Sequence, residues 1–188
     1  MSTIVLLLAA SLLAGGQPSQ YMPETAPAAL KPAIDKADAA FARLRQTLLA
    51  RLTAELAQGG PLTALSACHA AAADIARDVR QTEGVELGRT SHRLRNQKNA
   101  APGWAAAHVT AGGDVKGADA RALVVDLGAK VGVLRPIPTL GMCTACHGPT
   151  DKLGPDIRET LAALYPSDQA TGFKEGDLRG WMWAEVPK

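Results

Sequence analysis

The stretch Arg121-Ala-Leu-Val-Val-Asp-Leu-Gly-Ala-Lys-Val-Gly-Val-Leu134 decides the fold class. Two short runs rich in β-branched and aliphatic residues flank Gly128-Ala129, a pattern that is typical of a β-hairpin. Farther along, residues 180–186 place tryptophans at alternate positions, which predicts a closing strand. The sequence therefore predicts a small antiparallel sheet in the second half of the chain.

The first half of the chain has a helical periodicity instead. Apolar residues recur every three to four positions from Asp35 to Gln58, and again from Leu62 to about Gln81. Gly59-Gly60-Pro61 separates the two segments, and Gly followed by Pro commonly ends a helix. We therefore expect two consecutive helices that form a helical hairpin.

Two shorter helices and two irregular regions complete the prediction. An Ala-rich helix is expected near Trp104 to Val109, and another from Pro155 to Tyr165. Residues 85–104 are expected to be irregular and residues 135–155 to form a loop. The predicted class is α+β, with a small antiparallel sheet flanked by the N-terminal helical hairpin and further helices.

Composition limits the possible functions. The chain has 188 residues, a formal net charge of +2 and three cysteines. So small a charge gives no reason to expect nucleic acid or an anionic membrane as a partner. Three cysteines exclude a disulfide-rich scaffold and leave one unpaired. No apolar run reaches the roughly 20 residues of a membrane-spanning helix, so no integral span is expected once the signal is removed.

The N-terminus has the sequence of an export signal. Ile4 to Ala14 is an apolar run of eleven residues, and small residues and a polar break follow it. The alternative, a buried N-terminal helix, is disfavoured because the run has almost no polar positions and a Pro/Ser-rich stretch follows it. The predicted organisation is a signal peptide at 1–16, a Pro-rich linker at 17–32 and a single domain at 33–188, located in the periplasm.

Cys143-Thr144-Ala145-Cys146-His147 carries the chemistry. Cys-x-x-Cys-His is the attachment signature of c-type haem. The two thiols add across the haem vinyl groups, and the adjacent imidazole then ligates the iron from the proximal side. The sequence therefore predicts one covalently attached haem c, bound through Cys143 and Cys146 with His147 as the proximal ligand.

Two other interpretations use the same residues. A thioredoxin-type dithiol requires Cys-x-x-Cys at a helix N-terminus within a βαβ unit, whereas here it is expected in a Gly/Pro-rich loop. A structural zinc site requires four ligands, and the motif supplies three without a second ligand pair of familiar spacing. We therefore favour haem attachment.

The residues alone do not decide the distal iron ligand. Cys68 lies on the apolar stripe of the second helix, where a free cysteine is usually an inert small hydrophobe, and His69 is rotated by about 100° from it. The sixth position stays divided among Cys68, His69 and an open site. The remaining candidate side chains for this position are His92, His108, Met22, Met142 and Met182.

Several stretches carry a resemblance to a known family. They are the helix around Cys68; Gly88-Arg89-Thr90-Ser91 with Leu94-Arg95-Asn96; Arg135-Pro136-Ile137-Pro138-Thr139 leading into Met142-Cys143-Thr144-Ala145-Cys146-His147-Gly148; and residues 164–180. With them, the chain resembles a family of exported monohaem c-type cytochromes with a PAS-like, sensor-type haem-binding domain. The resemblance extends from about the second helix to the C-terminus.

The resemblance implies a PAS-like α+β fold and an axial pair of His147 and Cys68. Family members often carry a proline a few residues after that cysteine, where this chain has Ala70 to Ala73. A coordinated thiol is deprotonated, and its charge favours ferric over ferrous iron, so a low reduction potential is expected. Arg89, Arg95 and Arg135 are candidates to pair with the haem propionates or the thiolate, the alternative being solvated surface arginines.

Three functions are compatible with these residues. The first is a periplasmic electron carrier or redox-poise protein, which needs a redox partner protein. The second is a haem-based redox or gas sensor module, in which a diatomic gas or reduction displaces Cys68. The third is a small haem enzyme, for which only His69 is an obvious acid–base residue. We favour a carrier or a sensor over an enzyme.

Overall fold

The computed structural model describes residues 18–113 and 115–188, and a five-stranded antiparallel sheet is its central layer. The strands lie in the order β1-β3-β4-β5-β2. Their bounds are β1 Gln20–Tyr21, β2 Glu86–Thr90, β3 Leu123–Asp126, β4 Lys130–Pro138 and β5 Leu178–Pro187. The α+β class is thus confirmed. The predicted signal peptide at 1–16 lies outside the described residues.

Four α-helices accompany the sheet. They are α1 Lys31–Glu83, α2 Gly103–Ala111, the four-residue α3 Thr144–His147, and α4 Pro155–Leu164. Short 3₁₀ helices lie at Pro23–Thr25, Ala28–Leu30, Gln97–Asn99, Gly141–Cys143 and Thr150–Lys152. No helix in the described part of the chain is long and apolar enough to cross a membrane.

The long element α1 is a helical hairpin, as the sequence predicts. Gly59 and Gly60 have non-helical dihedral angles, and Gly60 has φ 71° and ψ −166°, a region that only glycine adopts readily. The two arms run antiparallel, since Arg43 Nη1 donates to Glu83 Oε1 at 3.1 Å. The glycine pair therefore reverses the chain and returns the second arm towards the sheet.

Each face of the sheet packs against a different helix. Because side chains alternate along a strand, Val124, Val133 and Met182 point to the face covered by the first arm of α1. Leu123, Leu134 and Trp181 point to the other face, which α2 covers with Ala105 and Val109. This two-sided burial explains why β3, β4 and β5 were predictable from their apolar pattern.

A third apolar cluster lies beside the sheet and joins the second arm of α1 to α4. Its buried members are Leu65, Leu153, Ile157 and Leu161, and Cys146, Leu164 and Tyr165 pack against it. We call this group the lateral cluster. It brings the helix that carries Cys68 next to the Cys-x-x-Cys-His motif.

The structure corrects three expectations about irregular chain. Residues 85–104 contain β2, whose pattern is weak because only Leu87 and Thr90 are buried on this edge strand. The loop expected at 135–155 begins later, since β4 continues to Pro138. Prolines are tolerated there because β3 pairs only as far as Leu134, which leaves the N–H side of that segment without a strand partner.

The third correction concerns the segment expected to be a linker at 17–32. Gln20 and Tyr21 pair with β3, and Leu30 is buried in the core below the first arm of α1. Pro23 starts the first 3₁₀ helix, Pro27 is the N-cap of the second, and Pro32 lies in the first turn of α1. The segment is therefore packed onto the domain from Gln20 onward.

We predict that Gly60→Ala destabilises the protein by about 1–3 kcal/mol, because alanine is strained at this φ and ψ. A Cβ at position 60 would meet no atom within 4 Å. The loss of stability would therefore come from backbone strain and not from a steric clash. Chemical denaturation measures it. The control is Gly103→Ala at the start of α2, where a Cβ also meets nothing and the backbone is helical. Equal behaviour of the two variants would contradict the prediction.

Candidate functional site

The Cys-x-x-Cys-His motif lies on a helical turn and not in the irregular loop expected. A 3₁₀ turn that ends at Cys143 runs directly into α3, and Gly148, which is extended, ends the turn. Cys143 and Cys146 are three residues apart on this turn, so their side chains lie on the same side of it. Both thiols are free and half-buried.

The His147 ring is held in one tautomer. Its Nδ1 lies 2.7 Å from the carbonyl oxygen of Ala170, and since a carbonyl only accepts, Nδ1 carries the proton. Nε2 therefore keeps its lone pair. Burial, together with the charges of Arg179 and Arg95, lowers the pKa of His147 well below its usual value, so the ring is neutral at pH 7. A neutral imidazole with one nitrogen fixed by a backbone carbonyl is the arrangement of a metal-ligating histidine.

Backbone hydrogen bonds attach the motif to the segment before β5. Phe173 N–H donates to the carbonyl of His147 at 2.9 Å, and Gly172 N–H donates to that of Gly148 at 2.7 Å. The ring of Phe173 meets that of His147 edge-on, with centroids 6.3 Å apart. The segment at 170–173 thus fixes both the backbone and the ring of His147.

The structure brings Cys68 to the motif. Cys68 is half-buried on the second arm of α1, one turn after Leu65 of the lateral cluster. Burial raises the pKa of the Cys146 thiol, Arg95 opposes this rise, and the nearby Cys68 adds to it. Burial raises the pKa of Cys68 itself, against the opposing charges of Arg89 and Arg51. His69, the alternative, is exposed, and its ring lies edge-on to Tyr165 at 5.0 Å.

Arg95 joins the motif to the segment before β5 through hydrogen bonds. Its Nη2 donates to the carbonyl of Cys146 at 2.6 Å and to that of Ala170 at 3.2 Å, while its Nε donates to Asp168 Oδ2 at 3.0 Å. Both side chains of the ion pair are about 10% exposed. Arg95, predicted as a partner of a bound anion, therefore already has acceptors within the protein.

Arg179 is a residue of the site that the sequence analysis did not single out. Its Nε donates to His147 Nε2 at 3.4 Å, and its Nη1 donates to Ser91 Oγ at 3.1 Å. Burial, reinforced by the charges of Arg95 and Arg89, lowers the pKa of Arg179 to about 10. A single arginine at the start of a strand forms no motif, and the only signal was its position inside the stretch 164–180.

Arg89 and Arg135 have different surroundings. Arg89 lies on β2, where burial lowers its pKa and the charges of Cys68 and Tyr165 act in the opposite direction. Arg135 forms a bidentate ion pair with Asp38 of α1, at 2.7 and 2.6 Å. Arg89 therefore lies near the motif, whereas Arg135 is already paired with Asp38 on α1.

Of the other candidate ligands, Met142 lies in the 3₁₀ turn that leads into the motif and Met22 precedes the first 3₁₀ helix. Met182 is buried in the core under α1, His108 Nε2 donates to the carbonyl of Arg121, and His92 packs edge-on against Phe173. Within residues 18–113 and 115–188, no group of three or more His, Cys, Asp or Glu side chains is arranged to hold a metal ion by itself.

Comparisons with known proteins agree with this architecture. The model of the Tll0287-like family matches residues 20–187. The fold is similar to the crystal structure of the cyanobacterial heme-protein Tll0287, with a TM-score of 0.58 and 22% sequence identity over 82% of this chain and 94% of that one. No curated protein matches the sequence.

We predict that Arg95→Gln destabilises the protein by about 3 kcal/mol or more, because it leaves the buried Asp168 carboxylate without its cation and two carbonyls without a donor. Denaturant unfolding measures the change. Arg77→Gln is the matched control, since Arg77 forms exposed ion pairs with Asp74 and Asp78 that contribute little. A small effect of Arg95→Gln, similar to that of the control, would show that Arg95 does not hold the motif in place.

Proposed function

The chain belongs to the Tll0287-like family, and we propose that it is a haem protein with one covalently attached haem c. Cys143 and Cys146 form the two thioether bonds, and His147 is the proximal iron ligand. The observation that carries this proposal is the hydrogen bond between His147 Nδ1 and Ala170, which leaves Nε2 as a lone-pair donor next to the two thiols. The similarity in fold to a heme-protein supports it.

The residues around the motif fit the group. A haem is a flat apolar ring with two carboxylates, so it needs both apolar walls and cations. The lateral cluster supplies Leu65 and Leu161 beside Cys146, and Arg89 and Arg179 supply guanidinium groups near His147. When bound, the haem supplies a one-electron couple between ferric and ferrous iron.

Cys68 is the proposed distal ligand. Two observations support it: the helix that carries Cys68 packs against the same cluster as Cys146, and Arg89 lies near enough to oppose the rise that burial causes in the pKa of Cys68. Arg89 stabilises a thiolate at this position. Thiolate ligation gives a reduction potential well below that of a His/Met cytochrome c, since the negative charge favours the ferric state.

The role proposed for the protein is electron transfer or redox poise in the periplasm, with a redox partner protein. Thioether haem is assembled outside the cytoplasm in bacteria, and residues 1–16 have the sequence of an export signal. Two axial ligands from the chain leave no open coordination position for a substrate, which favours a carrier over an enzyme.

A PAS-like sensor module is the second candidate. One observation favours it: Cys68 is only half-buried, and the helix positions that follow His69 are the alanines Ala70 to Ala73, whose side chains are small. A distal ligand with such neighbours leaves room for a diatomic gas to displace it. In this candidate the Cys68–iron bond is the element that responds to the signal.

We predict that protein produced in a host competent for haem maturation retains its pigment through acid–acetone extraction. The Cys143→Ala/Cys146→Ala variant should lose it, because both thioether bonds are then absent. Cys68→Ala is the control, since it removes a thiol without removing a thioether and should keep the covalent haem. A colourless wild-type protein, or pigment that acid–acetone removes, would overturn the proposed function.

We predict that Cys68→Ala abolishes the thiolate features of the low-spin ferric spectrum and raises the reduction potential, because a negative ligand is lost. Electronic absorption, electron paramagnetic resonance and potentiometry measure this. His69→Ala, one residue along the same helix, should leave both readouts unchanged. The reverse pattern would assign the distal position to His69. Rapid uptake of carbon monoxide by the reduced wild-type protein would favour the sensor over the carrier.

A further inference from the structure

Three arginines near the motif carry more positive charge than the surrounding carboxylates balance. Arg89 and Arg95 both lower the pKa of Arg179, and all three lower the pKa of His147, so their guanidinium groups lie within one electrostatic neighbourhood. We call them the arginine cluster. Asp168 is the one carboxylate of the described residues that forms an ion pair with any of them, and it pairs with Arg95. Arg89 and Arg179 have no carboxylate partner there.

The cluster therefore has an excess of two positive charges. Burial makes this excess costly, because a desolvated cation is stable only when it is paired or fully hydrogen-bonded. Arg95 is satisfied by Asp168 and two carbonyls. Among residues 18–113 and 115–188, the side chain of Arg89 has no hydrogen-bond partner, and Arg179 bonds only to neutral acceptors. The site is complementary to a ligand with two negative charges.

From this charge excess we infer that Arg89 and Arg179 bind the two propionate groups of the haem, an inference that rests on the proposed function. The charges match. Ferric iron in the porphyrin dianion, with a thiolate from Cys68, is neutral overall, so the two propionates carry the whole net charge of −2. Guanidinium groups suit this task because their planar donors match a carboxylate.

The position of Arg179 gives the inference a geometric basis. Arg179 Nε donates to His147 Nε2, the atom that the proposed function assigns to the iron. One lone pair cannot serve both, so Arg179 requires another acceptor when Nε2 is a metal ligand. Its Nη1 remains held by Ser91 Oγ and by the carbonyl of Arg93, so the guanidinium stays beside the haem site.

Two other arginines of the region are excluded from this role by their own ion pairs. Arg135 is paired with Asp38, and Arg95 is fully engaged. Arg93 differs from both: its guanidinium lies over the ring of Phe173, 3.7 Å from the centroid, it has no hydrogen bond to His147, and its Nε has no hydrogen-bond partner within the described residues. It is therefore the arginine against which the assignment is tested. The assignment therefore differs from the sequence-based one, which named Arg89, Arg95 and Arg135.

The test compares haem-loaded variants with the wild type. Arg179→Gln and Arg89→Gln should each shift the propionate bending bands in resonance Raman spectra and lower the reduction potential, because a cation that favours the added electron is lost. Arg93→Gln is the matched control, since it removes a guanidinium from the same Phe173 ring, and it should keep the wild-type bands. Arg179→Lys, which keeps the charge but loses the planar donors, should shift the bands less than Arg179→Gln.

Each result separates this inference from the proposed function. Covalent haem content is measured in every sample as the pyridine haemochromogen. If the wild type and variants carry haem and neither Arg179→Gln nor Arg89→Gln shifts the propionate bands, the inference is wrong and the proposed function stands. Shifts of equal size in Arg93→Gln would also overturn it. If Arg179→Gln does not fold, Arg89→Gln and Arg179→Lys decide. A wild type without haem overturns both.

Discussion

The site depends on how the turn that carries His147 is joined to the segment just before β5. A side-chain hydrogen bond to Ala170 fixes the imidazole, two backbone hydrogen bonds join 147–148 to 172–173, and Arg95 binds carbonyls on both sides. β5 pairs with both β4 and β2. The junction therefore fixes the position of the His147 ring relative to the centre of the sheet. A four-residue helix has little stability of its own, so these external contacts determine where the imidazole lies.

Charge is the second constraint on the site. Folding places three guanidinium groups where water is largely excluded, with Asp168 as their one ion-paired carboxylate in the described part of the chain. Apolar clusters on both faces of the sheet supply the favourable free energy that offsets this cost, since buried apolar surface is the main stabilising term in folding. In the proposed haem complex, the two propionates would supply the negative charge that these guanidinium groups lack.

Sequence patterns predicted the elements whose burial is periodic. The helical hairpin, α2, α4, the β3–β4 hairpin and β5 follow from repeating apolar residues and from Gly and Pro at their ends. β2 was missed because it is a short edge strand with a weak apolar pattern. The motif and Cys68 were identified by residue type, but Arg179 was not, and the pairing of Arg135 with Asp38 joins residues 97 positions apart, which no local pattern reveals.

The lateral cluster has a mechanical consequence. Cys68 lies on the second arm of α1, and His147 lies on the motif turn. Among the described residues, no hydrogen bond joins 61–83 to 141–165, so the two segments meet through the apolar contacts of the lateral cluster. Apolar contacts have no directional preference and yield to sliding more readily than hydrogen bonds do. The separation between the Cys68 thiol and the His147 imidazole therefore depends on apolar packing between the two segments and not on a hydrogen bond between them.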